Sequence, residues 1–221
     1  MHQAIRGSAP LPARTPAAPH VVGDQPDVLR RILEPGVNLS LWQRPAPVQI
    51  AAELARLDAA DLPDLRCPTS PDSFDHDVSA LLRQRNLDPS RFDHWRRDLA
   101  RLATLFFAVG SGLGVTLRLE TTGDDGCRRF HVDRTRLRLL CTYRGPGTEW
   151  LSDAQVDRVA QAGGAPNDGM VRFGPPSRFE PFWVGILKGD AYPGNAGHGL
   201  VHRSPAIAGT GQTRVLFCLD C

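Results

Sequence analysis

Apolar residues recur at three- and four-residue steps through the first half of the chain and at alternate positions through the second. Phe92, Trp95, Leu99, Leu102 and Phe106 make the longest helical stripe, one face of a helix with Ser90 placed to cap it. Arg96, Arg97 and Arg101 fall off that stripe and read as a solvated face. Ahead of it, Val28, Leu29, Ile32 and Leu33 form a short apolar face ended by Pro35-Gly36. Residues 38–42 read as a short strand. Pro47 opens a helix with Val48, Ala51, Leu54 and Leu57, and Ser73 begins another with Val78, Leu81 and Leu82.

After residue 110 the period changes from 3.6 to 2. Val115, Leu117 and Leu119 alternate with Thr116 and Arg118. Leu137, Leu139, Cys141 and Tyr143 alternate with Arg136, Arg138, Leu140 and Thr142. Further strands are predicted at 129–133, 183–187, 199–203 and 213–219, with one short helix at 152–160. Turn clusters fall at 123–126, 145–147, 163–169 and 188–190. Helices first and many short strands afterwards predict an α+β fold. N-terminal helices pack on an antiparallel sheet or sandwich. The strand density of the second half fits a double-stranded β-helix, the jelly-roll or cupin-like architecture. The expected organisation is a Pro/Ala/Arg-rich tail over 1–24, a helical buttress over 25–110 and a core over 111–221, the last two forming one compact unit.

The 221 residues are 41% hydrophobic and 23% charged, enough to build a core without disulfides. A formal net charge of +2 gives no field for nucleic acid or a membrane surface, so neither is an expected partner. Lys188 is the only lysine, and the other 25 basic residues are arginine; with abundant Gly, Pro and Ala this reads as a GC-rich genome. No apolar run reaches the roughly 18 residues that span a bilayer. The N-terminus lacks a secretory apolar segment, so a cytoplasmic location is expected. Five cysteines fit no paired framework, and Cys218-x-x-Cys221 has no second pair.

The candidate chemistry sits in the β-rich half. His131 and Asp133, in FHVD, share one face of a predicted strand. His202, in LVHRSP, ends a late strand, and Arg214 enters the final one, 12 residues on. Two histidines and a carboxylate can occupy one face of an octahedral Fe(II) and leave positions open for substrate and oxygen. Arg214 alternates with Val215 and shares a face with Leu216 and Cys218, where an interior guanidinium needs an anion. His198, flanked by Gly197 and Gly199, reads as a loop histidine.

This order of H-x-D, distal histidine, glycine-containing turn and arginine resembles the Fe(II)- and 2-oxoglutarate-dependent dioxygenase superfamily over roughly residues 112–219. The resemblance implies His131, Asp133 and His202 as iron ligands and Arg214 as the 2-oxoglutarate anchor, with Tyr143 helping to hold the same carboxylate. It implies an oxygenase that couples oxidative decarboxylation of 2-oxoglutarate to hydroxylation of a small-molecule or peptide substrate. Through FHVD, YRGPGTEWL and GLVHRSP the whole chain resembles a bacterial domain-of-unknown-function family, DUF1826, which implies no reaction. Two alternatives stay open. One is a cupin-like metal-binding or sensing module holding zinc or another divalent ion, with His198 or a cysteine as fourth ligand. The other is a structural protein whose site has decayed.

Overall fold

The computed structural model describes residues 20–57, 64–110, 112 and 114–221. Of the expected tail, residues 1–19 lie outside the described residues. His20–Gly23, also expected in the tail, instead form a strand, β1, paired in parallel with β2 (Leu39–Trp42). Then come α1 (Val48–Leu54), β3 (Leu65–Thr69), α2 (Phe74–Gln84), α3 (Asp93–Val109), β4 (Val115–Thr122), β5 (Leu137–Arg144) and β6 (Glu149–Leu151). The rest is α4 (Arg158–Ala162), α5 (Asn167–Met170), β7 (Ser177–Arg178), β8 (Val184–Lys188), β9 (Val201–Arg203) and β10 (Arg214–Asp220).

The strands make a mixed α+β fold with two sheets. The larger has seven strands in the order β1-β2-β8-β5-β10-β4-β3, antiparallel from β2 onward. The smaller has three, β7-β6-β9. The alternation visible in the sequence divides the large sheet into two faces. Leu117, Leu119, Leu137, Leu139, Cys141, Tyr143, Val184, Ile186, Val215, Phe217 and Leu219 bury into one cluster with Trp95, Leu99, Leu102 and Phe106 of α3. The opposite face presents Leu41, Leu140, Leu187, Leu216 and Cys218, which pack with Trp150 of β6, Phe179 and Leu200. Burial of this many large side chains, each contributing about 1.5–3 kcal/mol, fixes the strand registers. A slip of one residue would drive Arg138 and Arg214 into the α3 cluster.

Several local expectations give way to tertiary pairing. Ser90 is not the cap before α3; Asp88 caps a 3₁₀ turn at Pro89–Phe92 by accepting from the Ser90 amide at 3.0 Å. The predicted helix at 152–160 is two short pieces, Asp153–Gln155 and α4, because the Asp157 side chain caps a new start. The 163–169 turn cluster contains the start of α5. β3 accommodates Pro68 because it is an edge strand. Among the described residues, no helix is long and apolar enough to cross a membrane.

Candidate metal centre

Residues 129–133, predicted as a strand, form only an isolated bridge. His131 and His202 exchange both backbone hydrogen bonds at 3.0 Å, which sets their rings 4.5 Å apart. The Phe130 amide donates instead to the Asn167 side chain at 2.8 Å, so the ladder stops there. Asp133 is brought in by close backbone packing rather than by a pleat. Its carbonyl accepts from the Asp190 amide at 2.9 Å. A Cβ on Gly189 would come within 2.6 Å of that carbonyl oxygen, and one on Gly199 within 2.2 Å of the Val132 side chain, so both positions require glycine.

His131, Asp133 and His202 each offer one ligand atom, and these atoms lie within 4.8 Å of one another. His131 Nδ1 is 2.9 Å from the Arg129 carbonyl and His202 Nδ1 is 3.1 Å from the Leu200 carbonyl. A carbonyl only accepts, so each ring donates from Nδ1, and in its neutral form turns the Nε2 lone pair toward the site. Burial holds His202 down to about 4, against the pull of Asp133, so the imidazole is neutral near pH 7. Asp133 Oδ2 is buried without a hydrogen-bond partner, 3.4 Å from His202 Nε2. An orphaned carboxylate oxygen beside two free imidazole lone pairs is costly unless a cation completes it. The donor set therefore fits a divalent metal with open positions. No fourth protein ligand joins the three among the described residues, and His198 is exposed. The closed zinc site weighed from the sequence is not formed.

The sequence reading missed Arg138. Its Nη1 donates to Asp133 Oδ1 at 2.5 Å, and its Nε pairs with Asp220. One carboxylate oxygen is thereby occupied and the other left free, which fixes Asp133 for single-oxygen ligation. The available signal was the alternation that puts Arg138 on the same face as Leu140 and Thr142. Arg138→Met is expected to weaken divalent-metal binding by about 10–100-fold, as loss of a ligand's supporting partner does. Calorimetric titration with Mn(II) checks this, and unchanged affinity would contradict it.

Arg214 lines the same cavity, of about 160 Å³, as His131 and His202. It is buried, and every hydrogen-bond acceptor it reaches is neutral, with Glu120 acting on its charge from further off. Nε donates to the Pro146 carbonyl at 3.1 Å and Nη2 to Thr148 Oγ1 at 2.8 Å, with Thr142 and Ser204 hydroxyls at 3.5 Å. Burial lowers its pKa to about 10, still charged near neutral pH. Asp125 braces the turn leading to it by accepting from the Ile207 and Ala208 amides, both at 2.6 Å. Tyr143 does not join the site. It faces the α3 side of the sheet, where its hydroxyl donates to Asp98 at 2.6 Å and its ring packs edge-on against Trp95 and Phe182. The period of 2 dictates this, since Tyr143 has the parity of Leu139 and Cys141.

Residues 23–220 match the family described as protein of unknown function (DUF1826). The chain belongs to that family. No curated protein matches its sequence. Solved structures resemble this DUF1826 chain at low identity. The prolyl-4-hydroxylase of Pseudomonas putida is 12% identical with a TM-score of 0.36, over 80% of this chain and 95% of that one. An oxidoreductase of the 2OG-Fe(II) oxygenase family from Burkholderia pseudomallei is 14% identical with a TM-score of 0.39, over 91% and 95%. EvdMO1 is 16% identical with a TM-score of 0.32 over 57% of this chain, which spans only 32% of EvdMO1.

Proposed function

We propose that the protein is an Fe(II)- and 2-oxoglutarate-dependent oxygenase whose two sheets are the walls of a double-stranded β-helix. From β4 to β10 the chain visits the large sheet, the His131 bridge, the large sheet, β6 and β7 of the small sheet, then large, small and large again. That alternation between two sheets supports the barrel reading. Residues 25–110 and 111–221 are read as one unit, joined through the α3 cluster. The observation that carries the function is one cavity lined by His131, His202 and a buried arginine that hydrogen-bonds no carboxylate, with Asp133 beside the two histidines.

Iron and 2-oxoglutarate, when bound there, would supply oxygen activation for oxidising an unactivated C–H bond. The chain's own residues do the rest. His131 and His202 present unprotonated Nε2 atoms, and Asp133 adds the one negative ligand. Arg214 offers a planar fork to the far carboxylate of 2-oxoglutarate. Leu140 and Leu216 wall the cavity and limit water. The substrate is a small molecule or peptide.

Arg214→Met is expected to weaken 2-oxoglutarate binding to the Mn(II)-loaded protein by about 100-fold, the loss of a charge-assisted contact of about 1.5–3 kcal/mol. Calorimetry reads this directly. Equal affinity in wild type and variant would remove Arg214 from the co-substrate site.

A further inference from the structure

Three arginines on the inner face of the large sheet line the cavity, and they differ in what they hold. Arg138 is taken up by Asp133 and Asp220. Arg214 is held by neutral oxygens and, in the function proposed above, is matched to 2-oxoglutarate. Arg118 of β4 is held more loosely, by a long ion pair with Glu120 and a hydrogen bond to a sulfur. Its Nη2 lies 3.5 Å from Cys218 Sγ, a weak acceptor, and its Nη1 lies 3.8 Å from Glu120 Oε2, beyond hydrogen-bond reach. Its Nε is buried with no partner. Burial pushes the Cys218 thiol up to about 12, so that sulfur is neutral and supplies no countercharge. Desolvation and Arg138 act against the Arg118 charge, while Cys218 and Asp220 favour it and leave its pKa raised; Arg118 in turn acts against the charge of Arg214. A guanidinium with an orphaned Nε and its nearest carboxylate 3.8 Å away keeps donor capacity that an entering oxyanion can take up.

Arg118 lines this cavity together with Glu120, Gly126, Cys127 and His131, and its side chain keeps 25% of its surface open. The cavity, at about 160 Å³, is well below the roughly 300–1,000 Å³ that encloses a drug-sized ligand. Only one end of a substrate enters beside the co-substrate. Resting on the oxygenase reading, we infer that the primary substrate presents an oxyanion, a carboxylate or a phosphate, and that Arg118 is the residue that receives it. Arg118 then acts as a specificity determinant, orienting an acidic end close to the metal ligands while Arg214 keeps the co-substrate.

The test uses the full chain loaded with Mn(II) and saturated with 2-oxoglutarate, with inorganic phosphate and acetate as probes. Paramagnetic relaxation of their nuclei reads both binding and proximity to the metal, and comparing the two probes tells phosphate from carboxylate preference. Saturable relaxation of either probe is expected in wild type. Arg118→Met should weaken it by about tenfold or more, with 2-oxoglutarate affinity unchanged within about twofold and partial recovery in Arg118→Lys. The inference is overturned if wild type binds neither probe, or if Arg118→Met binds them equally. It is also overturned if that variant loses 2-oxoglutarate instead, which would place Arg118 on the co-substrate. Calorimetry of phosphate on the metal-free protein separates the two claims. Arg118-dependent binding there, in a protein that takes neither Mn(II) nor 2-oxoglutarate, would keep the oxyanion site and sink the oxygenase.

Discussion

Replacing Asp133 with alanine is expected to abolish stoichiometric metal binding, lowering divalent-metal affinity by about 100-fold or more. Asp133 is the only anionic member of the ligand set, and its Oδ2 has no other partner. Loss of a ligand should exceed the roughly 10–100-fold cost of losing a partner behind one. The fold should survive, because Arg138 keeps its pairing with Asp220. Thermal melts give a second reading. Metal in about 100-fold excess over its dissociation constant stabilises a native state by about 2.7 kcal/mol, so wild type should gain thermal stability on addition of Mn(II) and Asp133→Ala should not. A variant that still binds one metal per chain would show that the site lies elsewhere.

The largest expected effect on stability lies on the other face of the sheet. Asp98 of α3 accepts from Arg44 Nη1 at 2.6 Å and Nη2 at 2.7 Å, and from the Tyr143 hydroxyl at 2.6 Å, with all three residues buried. Asp98→Ala leaves a buried guanidinium uncompensated and a buried hydroxyl unpaired, a loss of about 3–5 kcal/mol. Tyr143→Phe removes one hydrogen bond to a charged acceptor, about 1.5–3 kcal/mol. Denaturant titration measures both. The folded fraction of either variant should keep its 2-oxoglutarate affinity within about twofold. If Tyr143→Phe weakened 2-oxoglutarate binding without loss of stability, Tyr143 would return to the site.

The same period-2 pattern explains what the sequence revealed and what it hid. Alternation placed Arg214 with Leu216 and Cys218 on an interior face, and the two faces of the large sheet follow that parity throughout. Applied to 136–143, it would also have separated Tyr143 from Arg138; a role taken from resemblance set the parity aside. Two further features were not legible. His131 and Asp133 converge without a regular strand, through a two-bond bridge and glycines at 189 and 199 that pack against residues 132–135, more than 50 residues distant. β1 carries only four residues and a parallel partner, so neither turn chemistry nor length announces it. The grouping of His131, Asp133 and His202 was readable because each lies in a short local motif. Arg138 and Arg118 showed only their face parity, since an arginine on a strand gains its partners from neighbours across the sheet.

An anaerobic visible spectrum asks whether one cavity takes both Fe(II) and 2-oxoglutarate. Wild-type protein with Fe(II) should develop a weak charge-transfer band only when 2-oxoglutarate is added, and Asp133→Ala should show none. A wild-type protein that binds Fe(II) stoichiometrically yet gives no band with saturating 2-oxoglutarate would contradict the account.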